Sequence, residues 1–236
     1  MLTDVLDHSN CIPLLLAACD LTEKKFAELV HLTEKFAFRA RIICGVHAGS
    51  LQKIYHEHAL KIRQNPKSYR VSTLEVAYRD LYARKATDAI FGTTLLEKLV
   101  YKPSAGNRPI KYFLATIEHY LRWINEGARG KPQCREPDRI LDLAELTIEH
   151  VYPRKPKAAE RDADCDEIVN VLGNLTILGS GDNEAVGNKS YSHKRSIFQD
   201  SSIGLNKKIG AKASWGKGKI EQRNRKLVAD AKKVFC

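Results

Sequence analysis

The chain has 236 residues, 43% of them hydrophobic and 28% charged, a globular composition that excludes wholesale disorder. It contains no run of about 18 uncharged apolar residues, so a membrane-spanning helix and a membrane partner are not predicted. The formal net charge of +11 indicates a polyanionic partner.

Almost all of the excess charge lies near the C-terminus. Residues 187–236 contain 13 Lys and Arg against 3 Asp and Glu, a net of +10, which leaves +1 for residues 1–186. Concentrated basic charge is typical of a surface that binds a polyanion, although a solvated basic tail has the same composition.

The cysteines indicate the compartment. All six are scattered along the chain and none forms a Cys-x-x-Cys pair, which argues against a structural zinc site and against a disulfide framework. This usage predicts a reducing cytoplasm. The apolar run Cys11–Cys19 is short, contains Pro13 and follows no basic segment, so a secretory signal is not predicted.

The first 130 residues predict a helical bundle. Apolar residues recur at helical spacing in five segments: Thr22 to Gly45, Ser50 to Arg63, Ser72 to Lys85, Thr87 to Val100 and Pro109 to Gly127. His56 and His58 are two residues apart, so on a helix they point in different directions and cannot share a metal. We expect the histidines of this half to be core or surface residues.

After Gly127 the pattern changes to strand, loop, strand and helix. One apolar stretch ends in Ile148-Glu149-His150 and predicts a strand near its end, and Leu175–Leu178 predicts a second strand after Gly173. Asp182 is placed to cap a following helix of about three turns.

The polar residues at the ends of these strands suit phosphodiester hydrolysis. Neighbours in a strand point to opposite sides of the pleat, so Glu149 can reach a metal while His150 faces a water that it activates. A hard divalent cation prefers oxygen ligands, which Glu149 and the side-chain amide of Asn183 offer. Asn174, at the start of the second strand, is placed to hold the histidine by a hydrogen bond.

These motifs resemble the HNH, or ββα-metal, nucleases. More specifically, the chain resembles the nuclease domain at the C-terminal end of GmrSD-type modification-dependent (type IV) restriction systems. The resemblance rests, in chain order, on Ile148-Glu149-His150, Gly173-Asn174-Leu175, Asn183, Asn188-Lys189, Lys194, Trp215 and the segment from Ile220 to Val234. It is close over 146–234, and over 1–130 it extends only to the order of helices.

The resemblance implies an α+β fold with two domains. An N-terminal helical bundle, 1–135, would precede a ββα-metal (HNH) nuclease core with a basic C-terminal helix, 136–236. His150 would be the general base, oriented by Asn174. Glu149 and Asn183 would bind a single Mg²⁺ or Mn²⁺ ion, with Asn188 as the alternative amide ligand, and no structural zinc is expected.

Phosphate contacts are expected from the basic residues that follow. The resemblance assigns them to Lys189 and Lys194. The charged terminal segment adds Lys207, Lys208, Lys212 and Arg223 as predicted DNA-binding residues.

The resemblance also implies partners. The substrate would be double-stranded phage DNA carrying glucosylated hydroxymethylcytosine, and an S-type nucleotide-hydrolysing subunit would act with the chain in the bacterial cytoplasm. Because the chain begins at Met1 without a nucleotide-hydrolysing half, it resembles the separate D-type nuclease subunit; a fragment of a fused protein would look the same. The alternative is a non-catalytic DNA-binding or assembly subunit that retains the HNH fold.

Overall fold

The computed structural model describes residues 1–134, 141–179 and 186–236, which form two compact units. The first comprises Met1–Lys98 with Phe235–Cys236, and the second comprises Leu99–Val234. The units therefore divide at residue 98, upstream of the predicted boundary; the domains 1–135 and 136–236 stay a prediction.

The first unit is built from helices. They are a 3-10 turn at Ser9–Cys11, α1 (Ile12–Ala18), α2 (Glu23–Phe36), α3 (Ala48–Gln64), α4 (Val71–Lys85) and α5 (Asp88–Lys98). The four helices predicted in this region are confirmed to within about two residues at most ends, as expected of boundaries read from periodicity. Helix α1 was not predicted; Pro13 occupies its first turn, where a missing N–H costs nothing.

The predicted helix from Thr22 to Gly45 changes geometry partway. After α2 the chain continues as a π-helical segment, Ala37–Ile43, and Gly45 ends it with a φ of +65°, a left-handed conformation that favours glycine. The π segment carries Arg39 into the interior, where its guanidinium donates to the carbonyl oxygens of Ala86 and Phe235. Arg39 thus satisfies buried backbone acceptors of the first unit.

An aromatic core fills this unit. Phe36 stacks on Tyr78 with ring centroids 3.6 Å apart, and Tyr55 meets both rings edge-on. His58 is buried and its Nδ1 lies 2.8 Å from the Tyr69 hydroxyl. The prediction that the histidines include core residues is confirmed for His58.

The second unit mixes helices with a small sheet. Its elements are α6 (Arg108–His119), α7 (Leu121–Asn125), β1 (Thr147–His150), a 3-10 turn at Ala158–Glu160, α8 (Ala163–Glu167), a 3-10 turn at Leu172–Asn174, β2 (Leu175–Leu178), α9 (Tyr191–Asp200), α10 (Gly204–Gly210) and α11 (Lys217–Val234). The fifth predicted helix is divided at Tyr120 into α6 and α7. The basic C-terminal helix is confirmed as α11.

Both predicted strands are present, and they pair antiparallel. Glu149 lies opposite Thr176 and His150 opposite Leu175. The start of the helix predicted after Asp182 lies outside the described residues. In the described ranges the helices and one two-stranded sheet make the observed fold class α+β.

Helices cover the sheet and hold each other through buried polar groups. The Glu118 carboxylate accepts hydrogen bonds from the backbone N–H groups of Gly204 and Leu205, at 2.7 and 2.8 Å, and so fixes the start of α10. Val151, Leu178 and Phe198 form part of the core beneath. In the part of the chain that the structure describes, no helix combines the length and apolar character needed to cross a membrane.

Candidate functional site

Glu149 and His150 close β1, and the pleat sends their side chains to opposite faces. Glu149 Oε1 lies 2.5 Å from Nζ of Lys194, which also donates to the backbone carbonyl of His150 at 2.7 Å. Burial raises the pKa of the Glu149 carboxyl, and the adjacent Lys194 ammonium opposes that rise. The Lys194 side chain is fully buried, so this ion pair fastens α9 to the end of β1.

The His150 ring is held from two sides. Its Nε2 lies 3.1 Å from Oδ1 of Asn170, and Tyr101 meets it edge-on with ring centroids 4.7 Å apart. Because a carbonyl oxygen only accepts hydrogen bonds, Nε2 carries the hydrogen and Nδ1 retains its lone pair. Burial lowers the pKa of His150 to about 4, and the charges of Arg154 and Lys194 act in the same direction. His150 is therefore neutral near pH 7, in the form that can accept a proton.

Asn174 does not orient the histidine, which corrects the role predicted for it. Its Nδ2 donates to the carbonyl oxygens of Tyr152 and Val169, and its Oδ1 accepts from Tyr152 N and Trp215 Nε1, at 2.8 to 3.1 Å. These four bonds use both donors and both lone pairs of the amide. Asn174 instead holds the chain where it leaves β1, and Asn170 takes the orienting contact.

Close packing against α11 explains why the Gly-Asn-Leu motif begins with a glycine, Gly173. A Cβ on Gly173 would lie 2.2 Å from the backbone oxygen of Ile220 in α11. The Gly173 N–H donates to Asn224 Oδ1 of the same helix at 2.5 Å. Glycine permits the backbone before β2 to approach α11 this closely.

Of the two candidate amide ligands of the metal, Asn183 and Asn188, the structure describes only Asn188. Asn183 lies outside the described residues. The Asn188 side-chain amide is engaged with Lys155, because Oδ1 accepts from its backbone N–H at 3.2 Å and Nδ2 donates to its carbonyl oxygen. The Asn188 side chain therefore binds the backbone of the loop that follows β1. Within the described ranges, no group of three or more His, Cys, Asp or Glu side chains is placed to hold a metal ion.

Two residues predicted to contact DNA bind other parts of the protein: Lys194 is fully buried, which corrects its assignment, and Arg223 is half-buried. Lys194 lies on the buried stripe of α9 between Tyr191 and Phe198 and pairs with Glu149. Arg223 lies on the inner face of α11, where Nη1 donates to the carbonyl oxygens of Gly173 and Leu175 at 3.0 and 2.5 Å. Burial lowers the pKa of Arg223 to about 10. Both side chains bind the protein itself.

The remaining predicted DNA-binding residues are exposed: Lys189, Lys207, Lys208 and Lys212. Lys208 donates to Asn125 Oδ1 at 2.7 Å and still lies at the surface. Their availability to phosphate stays a prediction.

Three residues that surround His150 were not predicted from the sequence to belong to the site: Asn170, Tyr101 and Arg154. The Arg154 guanidinium is exposed and lies 5.4 Å from the centre of the Tyr101 ring. Tyr101 is far from His150 in the chain, so no local spacing reveals it. Arg154 could have been noticed, because it is a basic residue only four positions after His150, the predicted general base.

Comparison with known proteins identifies the family. The sequence profile described as GmrSD restriction endonucleases, C-terminal domain, matches residues 85–230, more than half of the chain. No curated protein matches the sequence. The match takes in both strands, the Glu149–Lys194 pair, the His150 surroundings and most of α11. The chain therefore belongs to the family of GmrSD restriction endonuclease C-terminal domains, which indicates a restriction endonuclease type of function.

Proposed function

We propose that the chain is a metal-dependent DNA endonuclease of the HNH, or ββα-metal, type, in which His150 activates the attacking water. The observation that carries this proposal is the environment of His150. Its ring is neutral, Asn170 engages Nε2, and Nδ1 keeps a lone pair. A general base needs this protonation state and a fixed ring orientation.

Arg154 supports a phosphate substrate at this position. Its guanidinium is exposed yet anchored over the Tyr101 ring, and Tyr101 in turn packs against His150. A planar guanidinium binds phosphate oxygens in a bidentate geometry. Arg154 would thus hold the scissile phosphate beside the base, while the exposed lysines Lys189 and Lys207 would contact neighbouring phosphates.

The donor chemistry of Glu149 fits a hard divalent ion such as Mg²⁺ or Mn²⁺. A carboxylate oxygen is a preferred ligand of such ions, and an ion bound here would share the carboxylate with the Lys194 ammonium, which lies 2.5 Å from Oε1, or displace it. Glu149 would hold the ion together with Asn183. When bound, a divalent ion stabilises the negative charge that develops on the phosphate.

The same ion pair supports the second candidate, a non-catalytic DNA-binding or assembly subunit. If Glu149 serves only to pair with Lys194, its role is structural and the domain binds DNA without cutting it. Metal binding separates the two functions independently of cleavage. We expect Mn²⁺ to bind the wild-type chain in electron paramagnetic resonance titrations, and to bind Glu149→Gln much more weakly.

Cleavage itself is tested with supercoiled plasmid and phage DNA, with and without glucosylated hydroxymethylcytosine, in Mg²⁺ or EDTA. The proposal expects nicking that requires both the metal and His150. Equal cutting by His150→Ala, or cutting that persists in EDTA, contradicts it. Absence of Mn²⁺ binding together with no cleavage of any DNA, with or without partner, favours the non-catalytic subunit.

The family also motivates a proposal for partner and target. The chain would act as the D-type nuclease subunit with an S-type nucleotide-hydrolysing subunit on sugar-modified phage DNA. Co-purification with such a subunit, and nucleotide-dependent cleavage restricted to modified DNA, would support this arrangement. Equal cleavage of plain and modified DNA by the reconstituted pair would contradict it.

A further inference from the structure

A cleft outside the His150 site opens between α10 and α11 in the second unit. It has a volume of about 420 Å³, and its floor is formed by aliphatic side chains, among them Leu205, Ile209 and Leu227, with Trp215 forming one wall. Cavities of this size and character accommodate small ligands or a few apolar side chains of a partner. We call this feature the lysine-rimmed cleft.

The rim of the cleft is basic. Four exposed lysines line it: Lys208, Lys212, Lys219 and Lys226. The acidic residue in the lining, Asp230, is buried and accepts a hydrogen bond from Lys226 at 2.5 Å. Burial and the neighbouring charge of Lys226 lower the pKa of Lys208. An anionic occupant would relieve this repulsion, so the charge of the rim favours acidic groups.

The floor decides which kind of anion fits. Duplex DNA can neutralise the lysines, but its convex phosphate backbone has no group that fills an aliphatic hollow. A free nucleotide can stack its base on the Trp215 ring, but the Trp215 N–H is already bonded to Asn174 and the aliphatic floor matches no polar edge of a base. An amphipathic protein segment satisfies both features, because its apolar side chains fill the hollow while its carboxylates meet the lysines.

We propose that the lysine-rimmed cleft is a docking site for an acidic segment of a protein partner, which inserts bulky apolar side chains between α10 and α11. The site is separate from His150, so the proposal does not depend on the nuclease chemistry. It has a physical connection to that site nonetheless. Trp215 donates from the cleft wall to Asn174, which holds both backbone groups of Tyr152, two residues after His150.

The probe is a fluorescein-labelled amphipathic peptide whose Leu and Phe face is flanked by glutamates, titrated with the full chain and followed by anisotropy. We expect saturable binding with a dissociation constant of order 10 µM, and weakening of at least about tenfold in two variants. Ala211→Trp fills the cleft without changing its charge. Lys212→Glu with Lys219→Glu reverses the charge of two of the four rim lysines, which neutralises the rim and leaves the floor intact. Thermal unfolding verifies that each variant folds.

Lys233→Glu is the matched control, because Lys233 is an exposed lysine of α11 that does not line the cleft. A peptide with lysines in place of its glutamates tests the charge requirement. Failure of the acidic peptide to bind, equal loss in Lys233→Glu, or binding untouched by both cleft variants would overturn the proposal. Binding of a duplex oligonucleotide that is lost in Ala211→Trp would assign the cleft to nucleic acid and overturn it as well.

Discussion

The ammonium of Lys194 and the carboxylate of Glu149 form a buried ion pair, with Nζ 2.5 Å from Oε1. Lys194 Nζ also donates to the carbonyl oxygen of His150, so one lysine binds both residues of the Glu-His motif. This pair fixes α9 against the end of β1 and places a positive charge where the proposed metal would bind.

Removing one partner of this pair should cost more stability than removing both. Lys194→Met leaves the Glu149 carboxylate buried without its cation, and we expect a loss of about 3–5 kcal/mol in the free energy of unfolding. The double variant Glu149→Gln with Lys194→Met should recover most of that loss. Urea denaturation measures both, and Lys207→Met, an exposed lysine on α10, should change stability by less than about 0.5 kcal/mol. A double variant less stable than Lys194→Met would contradict this account.

The His150 base and its positioning residue should have graded effects on cleavage. We expect His150→Ala to lower the nicking rate by about 10² to 10⁴-fold, because proton transfer to a positioned base is lost. Asn170→Ala should lower the rate less, since the histidine remains but its ring is no longer fixed. Plasmid nicking under single-turnover conditions measures both rates. The exposed His193→Ala is the histidine control, and a rate unaffected by Asn170→Ala would remove its positioning role.

Arg154 should act through its stacked guanidinium as well as through its charge. Arg154→Ala should weaken DNA binding and slow cleavage, and Arg154→Lys should restore little of the rate, because an ammonium lacks the planar fork that stacks on Tyr101 and binds phosphate bidentately. Lys157→Ala, an exposed basic residue in the same loop, serves as control. Full rescue by lysine would show that charge alone suffices.

The close approach of Gly173 to α11 predicts a specific intolerance. Gly173→Ala places a methyl group 2.2 Å from the Ile220 carbonyl oxygen, so we expect a destabilisation of about 1–3 kcal/mol as α11 is displaced. Gly179→Ala is the matched control, because its added Cβ would meet no described atom within 4 Å. Thermal unfolding of the two variants measures the difference in stability. An equally small shift in Tm for both variants would contradict this prediction.

The first unit should lose stability in mild acid through His58. Burial lowers the pKa of His58 to about 4, against about 6.5 in the unfolded chain. The unfolded state therefore binds more protons between these values, so this contribution is complete above pH 6.5 and declines as the pH falls toward 4. His58→Asn, which keeps a polar atom near Tyr69, should reduce the slope of unfolding free energy against pH in this window. The exposed His56→Asn should leave the slope unchanged.

Helical periodicity predicted much of the fold because burial in a bundle imposes a repeat of 3.6 residues on the sequence. Four of the five α-helices of the first unit and the basic α11 were found in this way, whereas the strand at Leu175–Leu178 was predicted from a short apolar run after Gly173. The same helical repeat bears on two residues that were predicted to contact DNA, Lys194 and Arg223. Lys194 lies between Tyr191 and Phe198, and Arg223 between Ile220 and Leu227, so each shares a helix face with buried residues.

The sequence by itself determined the order of the elements, the location of the basic charge and the Glu149-His150, Gly173-Asn174 and Asn183 motif, since each depends on residues close together in the chain. Only the tertiary structure decided which side chains meet. It paired Glu149 with Lys194, placed Asn170 and Tyr101 around His150, and engaged all four hydrogen-bonding positions of Asn174 elsewhere. These contacts join residues far apart in sequence, and their partners are selected by burial and by hydrogen-bond satisfaction, which no local spacing encodes.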